Sequence, residues 1–259
     1  MTFLTTRPLW VLIPVLIVVT ALAMSSPVLI RRRISLEKLR TNNEVAGFKF
    51  AVIGVLYAVL LAFVVIIAWE RFANAEKALV MEAGSAATVY RLAPGLGEAP
   101  AAAVRTRLIA YLQSVLDDDW PAMATGRPSP VTTRALNSLF DAVVQFRPAD
   151  LHDADVQQDL LHELDLLTQA RRDRLVMAGG TVPGAIWFVL FLGAVLTISF
   201  TFFFGTQNVI TQSLMTGVLA ALIFSAILVI IAIDRPFTGA VVVPQESIRS
   251  VLEDVRTFQ

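Results

Sequence analysis

The sequence predicts an all-α integral membrane protein with four transmembrane helices and a helical soluble insert between the second and third. Three observations predict it. Of 259 residues, 56% are hydrophobic and only 16% charged, against about 25% charged in an ordinary soluble domain. The apolar excess is gathered into four blocks, each near the ~20 helical residues that cross a ~30 Å hydrocarbon layer. No stretch alternates apolar and polar residues with a period of two, so no strand is predicted.

The blocks cover about 9–30, 48–69, 184–204 and 214–233. Pro14 and Pro27 in the first would be costly in a soluble helix but are tolerated in membranes. Trp10, Trp69 and Trp187 fall near block ends, where an amphipathic ring favours the headgroup layer. Arg7, the following apolar run and Ala21-Leu22-Ala23 imitate a cleavable secretory signal. The run continues to Ile30 and meets Arg31-Arg32-Arg33, which cleavage would carry across the membrane, so an uncleaved helix is expected.

The chain divides by these blocks into 1–69 (first transmembrane hairpin), 70–183 (insert), 184–234 (second hairpin) and 235–259 (tail). The insert carries 15 acidic and 11 basic residues. No proline falls between Glu44 and Leu92, so the second span is expected to continue outward as one long helix. On its far part Phe72, Leu79, Ala83, Ala86 and Tyr90 keep helical spacing, and Pro94-Gly95-Leu96-Gly97 ends it. Further insert helices are predicted over 101–116, 132–145 and 154–177. The first of them is stopped by Asp117-Asp118-Asp119-Trp120-Pro121, and the last carries a stripe of Leu160, Leu164, Leu167 and Leu175. In the tail, Ile248, Val251, Leu252, Val255 and Phe258 mark one face of a short amphipathic helix, expected to dock on the insert rather than lie on lipid.

Four spans place the short loops 31–47 and 205–212 on one side, with the insert and both termini on the other. Charge gives opposed readings of which side is cytoplasmic. Arg31, Arg32, Arg33, Lys38 and Arg40 favour the short loops; Arg171, Arg172, Arg174 and Arg235 favour the insert.

Little in the chain suggests covalent chemistry. There is no cysteine, which excludes disulfides, thiol catalysis and cysteine metal sites. His152 and His162 stand ten residues apart and read as solvated surface histidines. Asp117, Asp118 and Asp119 lack the glycine-punctuated spacing of a calcium loop and read as a solvated helix end. Phosphate-binding glycine loops, nucleophile elbows and metalloprotease helices are absent from the sequence. No catalytic activity, cofactor or metal is expected. Formal net charge is zero, and nucleic acid is not an expected partner.

The membrane blocks offer more. Gly47, Ala51, Gly54, Ala58 and Ala62 recur at steps of four, three, four and four, lining one face of the second span opposite Val52, Leu56, Val59, Phe63 and Ile66. Such a face permits close helix packing or lines a narrow passage. Lys49, Glu70, Asp234 and Arg235 are ionisable groups at span ends, where charge is costly and often functional, snorkelling being the plainer account.

Asn43-Glu44-Val45-Ala46-Gly47-Phe48, Trp69-Glu70 and Glu82-Ala83 together resemble the bestrophin-like family of bacterial and plant membrane proteins. So do Asp119-Trp120-Pro121, Arg171-Arg172-Asp173-Arg174-Leu175, Pro183 with Trp187, and Asp234-Arg235-Pro236-Phe237 with Gly239. The resemblance covers nearly all of the chain beyond about residue 40. It implies kinship with bestrophins, pentameric ion channels whose four helices per subunit surround a pore lined by the second, with a helical cytosolic extension. The apolar constriction and acidic calcium cluster of true bestrophins have no residue-by-residue counterpart here. The expectation is a homo-oligomeric channel for small ions, multi-pass in a cell membrane (the inner membrane if bacterial), with the lipid bilayer and its own copies as partners. The rival expectation is a non-conducting scaffold or sensor whose insert binds a partner or ligand, with the small residues of the second span buried inside one subunit.

Overall fold

The computed structural model describes residues 9–41, 43–180 and 182–257. Arg7 and Phe258, both weighed above, lie outside them. The described residues are helices joined by turns, without a strand. In chain order the helices are α1 (Leu9–Arg31), α2 (Leu36–Arg40), α3 (Asn43–Leu92), α4 (Glu98–Ser114), α5 (Trp120–Met123), α6 (Pro130–Val144), α7 (Leu151–Met177), α8 (Gly184–Phe200), α9 (Val209–Ile233) and α10 (Glu246–Thr257). Among the described residues, four stretches are long and apolar enough to cross a membrane: Trp10–Arg31, Asn43–Leu96, Gly184–Phe203 and Val209–Ile233. The chain forms two compact units.

The first unit comprises residues 1–70, 180–234 and 239–241 and contains the four spans. Pro27 removes the donor that would serve the Ala23 carbonyl, and the Ser26 hydroxyl donates to that carbonyl instead at 2.6 Å. Helices α1 and α9 pack together, closely enough at Gly217 that a β-carbon there would collide with Met24. Tyr57 on α3 lies against Gly193 of α8, where a β-carbon would strike its ring, and its hydroxyl donates to the Leu190 carbonyl at 2.7 Å. The two short loops are tied to each other. Asn43 Nδ2 donates to the Gly205 carbonyl at 2.9 Å, the Gly205 amide donates back to Asn43 Oδ1 at 3.0 Å, and Arg31 donates to the Thr206 carbonyl at 2.7 Å. Trp187 departs from expectation. It is buried and stacked on Phe191 at 5.9 Å, because it sits on the inward face of α8 rather than the lipid-facing one.

The second unit comprises residues 71–179, 235–238 and 242–259. Its core joins Leu79, Ala83 and Ala86 of α3 to Val104, Leu108 and Leu112 of α4, Leu139 of α6 and Leu160, Leu164 and Leu167 of α7. Ile248 and Leu252 of α10 belong to the same core, so the tail helix packs on the insert helices. Ser129 caps α6 and Asp150 caps α7 through their side-chain oxygens. The acidic run 117–119 does not stop the helix as the sequence suggested. The chain passes from α4 through a π-helical turn, Val115–Asp119, directly into α5. Pro121 falls in the first turn of α5, where a missing N–H is tolerated. The wider turn also swings Asp119 inward.

Candidate functional site

Within the chain, α3 uses one face for packing and leaves another free. Ala46, Tyr57, Leu61, Val64 and Ala68 are buried. The small-residue face lies about a quarter-turn away on the helix. Ala51, Ala58 and Ala62 on it are exposed, Gly47 and Gly54 half-buried. A β-carbon at Gly54 would meet no atom within 4 Å. Ala51, Ala58 and Ala62 are therefore left free by packing inside the chain, whereas a β-carbon at Gly47 would reach the Phe204 ring at 4.0 Å. Beyond them Phe48, Val55, Leu56 and Phe63 expose large apolar side chains, as a lipid-facing surface requires.

The ionisable residues at span ends separate. Lys49 and Glu70 are exposed. Asp234 is buried and accepts the Val182 amide at 2.9 Å, fixing the entry to α8 beside the end of α9. Arg235 is half-buried.

The second unit holds a cluster that sequence reasoning missed. Arg174, fully buried on α7, donates through Nε and Nη2 to Glu82 on α3 at 2.6 and 3.0 Å, and through Nη2 to Asp119 at 3.1 Å. Arg171, one turn earlier, donates to both Asp119 oxygens at 2.8 and 3.1 Å. The Tyr111 hydroxyl donates to Glu82 at 2.6 Å, and the Ser129 amide to Asp119 at 2.8 Å. Two cations and two anions thus neutralise one another with their hydrogen-bonding capacity largely filled, the condition under which buried charge is tolerated. Burial opposes the charge on Asp119, but the Arg171 hydrogen bond, the Arg174 charge and the Ser129 amide outweigh it and hold its pKa below the ordinary value. Burial and the Glu82 charge push Tyr111 well above its ordinary value. Glu82 more than offsets the cost of burying Arg174, keeping it cationic.

The reading of Asp119 as a solvated helix end is corrected: it is fully buried. A signal was present in the sequence. Arg171 and Arg174 continue the stripe of Leu160, Leu164 and Leu167, and Glu82 falls between Leu79 and Ala86 on the inward face of α3. A charge on an apolar stripe requires a buried partner of opposite sign. His152 and His162 are exposed.

The Bestrophin-like domain model matches residues 17–248. The chain belongs to the bestrophin-like family. Its fold is similar to that of crystal structures of a bacterial bestrophin homologue from Klebsiella pneumoniae. One point variant of that protein superimposes with a TM-score of 0.72 at 15% identity, covering 93% of this chain and 99% of that one. A second gives 0.70 at 17% identity, with 97% and 99% covered. The form phased on zinc gives 0.68 at 16% identity, with 93% and 97% covered. A comparison with curated proteins finds no significant match. At these identities the likeness to the solved structures establishes the fold.

Proposed function

We propose that this bestrophin-like protein is a homo-oligomeric, multi-pass channel of a cell membrane that passes small ions passively around its second span. One observation carries the reading: Ala51, Ala58 and Ala62 are exposed within the chain while the neighbouring face of the same helix is buried. Small side chains left free by intrachain packing suit a surface that faces an axis or a neighbouring subunit. Family membership and the fold shared with bacterial bestrophin homologues support the same reading. A pentamer follows from the analogy with bestrophins. The protein would supply a path that wets or dewets, and no covalent step. Gly47, Ala51, Gly54, Ala58 and Ala62 would line or abut that path. The scaffold reading needs those residues buried inside one subunit, which the exposure of Ala51 and Ala58 disfavours.

The experiment is ion flux through liposomes bearing purified protein, with potassium, sodium and chloride measured separately. Selective flux that Ala58→Leu alters while the oligomer stays intact supports a path around α3. A verified oligomer that conducts none of the three overturns it.

A further inference from the structure

We propose that the protein binds an anionic phospholipid at the short-loop end of its first unit, with Lys38 and Lys49 taking the headgroup phosphate and Phe200 and Phe203 the acyl chain. A cleft of about 410 Å3 opens there, lined by Lys38 of α2, Val45 and Lys49 of α3, Phe200 of α8 and Phe203 just beyond it. The two lysines come from different helices and converge on one space. Both are exposed, and neither forms an ion pair among the described residues. The cleft is otherwise apolar, and Val45 and Phe203 remain 58% and 62% exposed.

Charge and hydrophobicity together select the occupant. Between residues 31 and 49 stand Arg31, Arg32, Arg33, Lys38, Arg40 and Lys49 against only Glu37 and Glu44, a cationic excess beside the end of a membrane span. Clusters of this kind attract anionic headgroups. A soluble anion would gain nothing from the exposed Phe203 ring and Val45, whereas an acyl chain would cover them. Lys49 stands within the second turn of α3, at a depth where an ammonium reaches the phosphate level by extending its stem.

The cleft is also held in place. A β-carbon at Gly205 would collide with Leu39, so α2 sits tightly on the second short loop. The paired hydrogen bonds between Asn43 and Gly205 fix the start of α3 to the same loop. The backbone segments that carry Lys38 and Lys49 are thereby tied to the same loop before any ligand arrives, which lowers the ordering cost of binding.

The test is lipid titration of the purified full-length oligomer in mild detergent, read by native mass spectrometry. Phosphatidylglycerol, phosphatidylcholine of the same chains and inorganic phosphate are compared. Wild type should prefer phosphatidylglycerol. Lys38→Gln with Lys49→Gln should lose roughly thirty-fold in that affinity, the worth of two basic groups at an anionic surface. Phe203→Ala should weaken both lipids. Arg32→Gln with Arg33→Gln, outside the cleft, should cost much less than the lysine pair. Unchanged phosphatidylglycerol affinity in the lysine double variant overturns the proposal. So does an equal loss in the arginine pair, which would mean diffuse attraction, or full competition by inorganic phosphate, which would mean a plain anion site. Val45→Cys, also in the cleft lining, gives an independent readout, since the native chain has no cysteine. Phosphatidylglycerol should shield it from a thiol reagent; shielding already complete without lipid would mean that a second copy covers the cleft, and also overturns the proposal.

Discussion

Arg174 and Glu82, 92 positions apart, form a two-point ion pair at 2.6 and 3.0 Å with both side chains fully buried. Asp119 accepts from the same guanidinium and from Arg171, so the pair is the centre of a neutral four-charge cluster linking α3, α7 and the π-turn. Leu79 and Leu167 pack in the surrounding core. This arrangement determines what the second unit tolerates.

Removing one member leaves the opposite charge stranded. Arg174→Ala leaves the buried Glu82 without its cation and should destabilise the unit by about 3–5 kcal/mol. Arg172→Ala, an exposed neighbour two residues earlier, should stay within about 0.5 kcal/mol. Chemical unfolding of the two variants side by side checks the contrast.

Acid should loosen the cluster through Asp119. Its folded pKa lies below the ordinary value of 3.8, so its stabilisation is full above that value and is lost as pH falls through the folded one. Unfolding midpoints followed downward from about pH 5 should fall in wild type. Asp119→Asn should start less stable and show a shallower decline.

Alkali should act through Tyr111. Its pKa is raised well above 10.0, so its stabilisation is intact below the ordinary value and is lost as pH rises toward the folded one. Tyr111→Phe removes that alkaline limb and the hydrogen bond to Glu82, a loss of about 1.5–3 kcal/mol for a bond to a charged acceptor. Unfolding at neutral and alkaline pH separates the two effects.

Two glycines of the spans should differ in their response to an added methyl. Gly193→Ala drives a β-carbon into the Tyr57 ring and should cost about 1–3 kcal/mol by overpacking. Tyr57→Leu in the same chain should recover part of it. Gly54→Ala meets open space within the chain and should leave thermal stability of the isolated subunit near wild type. Heat-induced unfolding in detergent compares them.

Ala58→Leu tests the free face directly. Ala58 is exposed within the chain, so the larger side chain should be accepted by the subunit fold yet narrow a path along α3. Flux per assembled oligomer should fall by roughly an order of magnitude, as a narrowed hydrophobic constriction dewets. Size-exclusion of the same sample verifies that assembly is unchanged.

Much of the fold was legible because hydropathy and helix punctuation are local. The four apolar blocks, the long helix ending at Pro94-Gly95, and the amphipathic tail were readable within windows of about twenty residues. Asp119 and Trp187 were misread for a common reason. A run of three aspartates suggests solvent and a tryptophan at a block end suggests the headgroup layer, but each statement concerns a residue type rather than the face that residue occupies. The π-turn turned Asp119 inward, and packing on Phe191 did the same for Trp187.

By itself, then, the sequence determined the four spans, the all-helical insert and the family, because burial of apolar surface in lipid and the backbone's need for internal hydrogen bonds leave one solution for such blocks. Only the tertiary structure decided which face of α3 is spent on packing and which carbonyls and carboxylates meet which donors. Glu82, Asp119 and the Arg171–Arg174 pair lie far apart in sequence, and α3, the π-turn and α7 must all be in place before the charges can neutralise one another. Such a cluster is stable only once water has been excluded from all four at the same time, and no local pattern encodes that.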